Sequence, residues 1–270
     1  MTKFMYGSTM ANGIEIQYYR SGGEKPAVVF LHGITEHGLA WSRFPLFIEP
    51  SYDVVLVDLR GHGLSDKPES GYRAEQMAED VYWLIKNLSL NNPVVIGHSM
   101  GASVATALAA IYPDLVSGLV LEDPPWVEAV KSAEEKTASA NNFLAFLSEF
   151  KSYSLSEVIE KAKQIYPNWD DVEYLQWAKG LHMISPNSAQ WILEEQTSWK
   201  ELITKIKKPG LLLTAEIEQG GLVTQDVAQH AQSLWKNLEV EHFPGAGHHI
   251  RREQYIKYRD LVSSFLRKIL

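Results

Sequence analysis

The chain has 270 residues, 45% hydrophobic and 21% charged, a balance that excludes a disordered protein. Its 25 Lys and Arg stand against 33 Asp and Glu, a net charge of −8 that argues against a nucleic-acid partner, since phosphate binding needs clustered cations. Cysteine is absent, which excludes disulfides, thiolate catalysis and iron–sulfur clusters.

In chain order, Met1 to Met10 holds no apolar run long enough for a signal peptide. Gly13 to Tyr19 alternates as a strand does, and 27–31 and 54–57 are continuous apolar runs, the pattern of strands covered on both faces. A helical pattern fills 74–88. The stretch Pro93 to Tyr112 carries no charge and is about as long as a membrane span. Its glycines, serines and histidine in the middle read better as strand 93–96, a turn, and an Ala-rich helix over 102–112. Strands follow at 119–121, 211–213 and 238–243. Strands alternating with helices imply a mostly parallel sheet with helices on both faces. Between about Pro124 and Lys208 the pattern is helical, strand-free and rich in Trp, which predicts a helical cap over 124–208 inserted in a core made of 1–123 and 209–270. The protein is expected to be soluble and cytoplasmic, with no membrane partner.

Gly97-His98-Ser99-Met100-Gly101 follows a buried strand and opens a helix, the context of a nucleophile elbow. A serine there sits on a tight bend, and the glycines let neighbouring backbone approach. His32-Gly33-Ile34 follows the 27–31 strand, so the backbone N–H groups of Ile34 and Met100 are the candidate oxyanion donors. Gly247-His248-His249 follows the 238–243 strand, and His248 is the candidate base. Trp126 and Trp41 are the candidate substrate-pocket residues. A metal site is disfavoured, because His248 and His249 are adjacent and no His-x-x-x-His pattern occurs. No G-x-G-x-x-G follows the first strand, so no dinucleotide is expected; no cofactor is predicted.

The His32-Gly33 turn, the Asp58–Asp66 segment, the Ser99 elbow and Gly247-His248 together resemble the α/β-hydrolase superfamily, in the family's order and over almost the whole chain. The resemblance implies a doubly wound, mostly parallel eight-stranded sheet with a cap. It implies a structural role for the Asp58–Asp66 loop. Serine at the elbow disfavours the dehalogenase and epoxide hydrolase chemistries, which place Asp there. The family's acid usually follows the next-to-last strand, which by count points to Glu218, with Glu216 beside it. Some relatives carry a Glu after the preceding strand, which here is Glu122. The expected activity is a cofactor-free serine hydrolase of a small apolar carboxylic ester or lactone. The alternatives are a carbon–carbon bond hydrolase of a diketone-type substrate and a ligand-binding receptor on the same scaffold.

Overall fold

A computed structural model describes residues 4–127 and 132–270. The first three residues of the Met1 to Met10 stretch, and 128–131 of the expected cap, lie outside the described residues. Eight strands form one sheet: β1 (Met5–Ala11), β2 (Ile14–Arg20), β3 (Ala27–Leu31), β4 (Asp53–Val57), β5 (Val94–His98), β6 (Gly118–Glu122), β7 (Gly210–Ala215) and β8 (Leu238–Phe243), in the order β1-β2-β4-β3-β5-β6-β7-β8. The pairs β1–β2 and β2–β4 are antiparallel, and the remaining pairs are parallel. Every residue of β3 to β6 is buried, which is why those segments read as unbroken apolar runs.

β1 is the strand that sequence patterning misses. It is an edge strand, and Met5, Tyr6 and Met10 are 62%, 79% and 63% exposed. Apolar side chains that face water carry no alternation signal.

Helices α2 (Ala74–Asn87) and α3 (Met100–Ile111) enclose one face of the sheet with a large apolar cluster that includes Val29, Val95, Met77, Leu84 and Val104. A second cluster on the other face gathers Phe30, Trp41, Phe44 of α1 (Arg43–Ile48), and Tyr258 and Phe265 of the C-terminal helix. Between β6 and β7 the described residues hold α4 (Ala133–Ser152), α5 (Leu155–Ile165), α6 (Asp171–Met183), α7 (Gln190–Leu193) and α8 (Trp199–Ile203), with no strand. Ser132 and Ser154 start α4 and α5 with reciprocal capping boxes to Glu135 and Glu157. Phe150, Val158, Trp169, Trp177 and Leu181 give these helices an apolar cluster of their own. After β7 come α9 (Gln225–Leu234), then β8, a four-residue helix α10 (Ile250–Glu253) and α11 (Tyr255–Ile269). Among the described residues, no helix is long and apolar enough to cross a membrane.

The Asp58–Asp66 loop is held from inside. Asp58 is fully buried and accepts N–H bonds from Gly38 (2.7 Å) and Leu64 (2.9 Å). Arg60 forms a buried pair with Asp80 of α2 at 2.5 Å.

Candidate active site

Ser99 lies between the last residue of β5 and the first of α3, at φ 52 and ψ −118. A non-glycine residue there is strained, and such strain persists only where the surroundings enforce it. Two glycines make the bend possible. A Cβ on Gly97 would sit 2.4 Å from the Gly101 carbonyl oxygen, and one on Gly101 would sit 2.1 Å from that of Leu31. α3 therefore starts against the end of β3. Because Leu31 pairs with Gly97 in register, the His32–Ile34 turn and the elbow leave the sheet side by side. Met100 is the first residue of α3, so its N–H has no partner within the helix. The Ile34 carbonyl is anchored by His62 Nε2 at 2.9 Å, and the Gly33 N–H donates to Glu36 at 3.0 Å. The turn that carries the expected Ile34 donor is thus fixed by buried polar groups.

The carboxylate that meets the candidate base is Asp123. Its Oδ2 lies 2.6 Å from His248 Nδ1. Asp123 is fully buried, follows β6, and has φ 42, a second strained residue in the same site. Its oxygens also accept the N–H groups of Leu222 (3.0 and 3.1 Å) and Val223 (3.2 Å). The loop after β7 therefore supplies backbone N–H groups to Asp123, and neither of its glutamates meets His248.

This geometry corrects all three glutamate assignments. Glu218 lies exposed in the short turn Ile217–Gln219. Glu216 pairs with His242 at 3.1 Å on the surface. Glu122 is buried on β6 but accepts the Arg251 N–H at 2.9 Å and its guanidinium at 3.1 Å. The carboxylate that meets His248 is the residue immediately after Glu122. Successive strand residues face opposite sides of a sheet, so a shift by one sends the carboxylate to a different neighbour. The sequence signal was the Asp placed immediately beyond the apolar run.

The pocket expectations also need correction. Trp41 is 2% exposed, packs edge-on against Phe30 at 5.2 Å, and lies under the Arg251 guanidinium; it is core. Trp126 is 1% exposed and stacked on Trp199 at 5.1 Å. Neither lines the cavity of about 340 Å³ beside His248, which Tyr166, Trp169, Gln219, Gly220, His249 and Glu253 help to form.

Glu36, His98 and His249 lie close enough to share a metal ion. Arg251 and Arg252, however, already sit 2.6 and 2.8 Å from Glu36 Oε1. Two fixed cations on one ligand oxygen make this an ion-pair cluster, not a metal cradle. Burial alone would raise the Glu36 carboxyl, but the two guanidinium groups outweigh it and hold it well below the usual range. Burial lowers His98 and His249, with the neighbouring arginines adding to the effect.

Residues 26–251 match the family described as the alpha/beta hydrolase fold. The chain belongs to that family. The 2-(acetamidomethylene)succinate hydrolase of Mesorhizobium japonicum is 28% identical over 236 residues, covering 86% of this chain and 84% of the relative. The N-formylmaleamate deformylase of Pseudomonas putida is 25% identical over 248 residues, 90% of each chain. A crystal structure of E-2-(acetamidomethylene)succinate hydrolase superposes with a TM-score of 0.81 at 25% identity, covering 98% of this chain and 99% of the other. This likeness supports hydrolysis as the activity.

Proposed function

We propose that the chain is a serine hydrolase that cleaves a small carbonyl compound through an acyl-enzyme, with Ser99 as nucleophile, His248 as base and Asp123 as the acid. The observation that carries the reading is the 2.6 Å pairing of His248 with a buried, N–H-cradled Asp123 beside a strained serine elbow. Asp123 fixes the proton on His248 Nδ1, which leaves Nε2 free to take the Ser99 proton. The Ser99 oxygen attacks the carbonyl carbon, and the Ile34 and Met100 N–H groups receive the oxyanion. Each such donor contributes about 3 kcal/mol to the barrier reduction. The tetrahedral intermediate collapses, the scissile bond breaks, and His248 returns the proton to the leaving group. Water activated by the same imidazole then releases the acid.

The scissile bond of this proposal is an amide or carbon–carbon bond. The two long-matching relatives, a hydrolase of an acetamido compound and a deformylase of an N-formyl compound, favour the amide of these two over the carboxylic ester or lactone read from the sequence. The cavity beside His248 is a place for the leaving group. Helices α4 to α6 act as the cap, since α6 packs on the oxyanion turn through Gly180, where a Cβ would lie 3.3 Å from Glu36 backbone. The test is turnover of an N-formyl amide, a vinylogous diketone and 4-nitrophenyl acetate by wild type and Ser99→Ala. Serine catalysis requires Ser99→Ala to lose on the order of 10⁶ in turnover. A variant that keeps more than about a hundredth of the rate refutes it. Preference for the nitrophenyl ester over both other probes restores the ester reading.

A further inference from the structure

Behind the triad lies a buried ion cluster that the acyl-transfer steps do not use. Its hub is the fully buried carboxylate of Glu36. Glu36 Oε2 accepts the Gly33 N–H at 3.0 Å and faces His98 Nδ1 at 3.2 Å. Its Oε1 takes Arg251 at 2.6 Å and Arg252 at 2.8 Å. Arg251 continues to Glu122, and Arg252 continues to Glu173 on α6 at 3.3 Å. The other nitrogen of His98, Nε2, meets the backbone carbonyl of His248 at 3.0 Å. Four of the five site residues, all but Met100, thus have a chain neighbour in the cluster. His98 precedes Ser99, Glu122 precedes Asp123, His249 follows His248, and Gly33 precedes Ile34.

Strand ladders align β3, β5, β6 and β8, but the site stands on turns beyond the strand ends, where no ladder reaches. We propose that Glu36 is a positioning residue that locks the oxyanion turn, the nucleophile elbow and the His248 loop into one register. The proposal rests on the serine mechanism given above. A displacement of about 1 Å between reacting groups costs on the order of a hundredfold in rate, so loosening this lock is visible in the chemistry. The carboxylate also balances the two arginines. Around His248 stand Asp123, His98, His249 and Glu253. Removing the charge of Glu36 leaves Arg251 and Arg252 under-compensated and disfavours a protonated imidazole nearby. The acidic limb of the rate profile then moves to lower pH.

The experiment measures labelling of Ser99 by a fluorophosphonate, which needs no knowledge of the natural substrate, from pH 5 to 9 in wild type, Ser99→Ala, Glu36→Gln and Glu36→Asp. Glu36→Gln is expected to label about ten- to a hundredfold more slowly, with its acidic limb lower by about half a pH unit or more. Glu36→Asp keeps the charge and shortens the reach, so it labels slowly with the limb in place. Labelling of Glu36→Gln within about threefold of wild type overturns the proposal. Slow labelling with an unmoved limb in Glu36→Gln also overturns it, because a merely structural loss does not reset the electrostatics. If Glu36→Gln does not fold, Glu36→Asp decides alone, and labelling at the wild-type rate overturns the proposal. Labelling of Ser99→Ala as fast as wild type is a separate result, which removes the serine mechanism itself.

Discussion

Asp123→Asn is the substitution with the most distinctive expected outcome. The two oxygens of Asp123 receive three N–H groups: Leu222 at 3.0 Å, Val223 at 3.2 Å and His248 Nδ1 at 2.6 Å. An amide retains one acceptor and turns the other position into a donor. If the new NH₂ faces His248, the imidazole must carry its proton on Nε2, where the base is needed. That tautomer costs about 10⁴ in kcat, as in other triads of this geometry, which is roughly 5 kcal/mol of barrier. If the NH₂ turns instead toward Leu222 and Val223, buried donors face a donor, and stability falls by about 1–3 kcal/mol. Steady-state and burst kinetics, beside thermal unfolding, separate the two. Glu218→Gln and Glu216→Gln change carboxylates that are exposed or paired at the surface, and their rates should stay within about threefold of wild type. The reasoning fails if Asp123→Asn keeps both kcat within tenfold of wild type and wild-type stability, or if Glu218→Gln is the crippled variant.

Glu122→Gln strips one anion from the buried Arg251, and denaturant titration should show a loss of about 3–5 kcal/mol; a neutral effect would mean that Arg251 is satisfied by Glu36 alone. Gly101→Ala drives a Cβ to within 2.1 Å of the Leu31 carbonyl oxygen, so it should cost at least about 1–3 kcal/mol and shift the elbow; a wild-type melting curve with full labelling would refute the close packing. Burial lowers His32, His62, His98 and His249 in the folded chain, whereas the unfolded chain protonates them near pH 6.5. The unfolded state then binds more protons below about pH 6.5, so stability is complete above that value and falls as pH drops toward the lowered folded values, by up to about 1.4 kcal/mol per pH unit for each histidine. Glu36, also lowered, adds the same sign further down, while Glu253 and Asp80, both raised mainly by burial, oppose it. Unfolding midpoints that stay level or rise from pH 6.5 to 5 would contradict this.

Much of the fold and half of the candidate site are legible in the residues alone, because they follow from local patterns. Strands buried on both faces must be continuously apolar, and 27–31 coincides with β3 for that reason. The Ser99 elbow is readable because a serine on so tight a bend requires Gly97 and Gly101 as near neighbours, and glycine can be seen in a sequence. His248 is readable from its glycine-rich turn after β8. What escapes is what depends on contacts across the chain. The acid belongs to His248 across 125 residues, and choosing between Glu122 and Asp123 needs the direction of one side chain at a strand end. The loop after β7 holds two glutamates, yet its part in the site is played by the backbone of Leu222 and Val223, which no residue type announces. Trp41 looks the same in sequence whether it lines a pocket or, as here, fills the core beneath Arg251. Glu36 shows no motif at all. Its partners come from β5 and α10, and only packing in three dimensions brings Arg251, Arg252 and His98 onto one buried carboxylate, since pairing of charges is decided by distance in space and not by spacing along the chain.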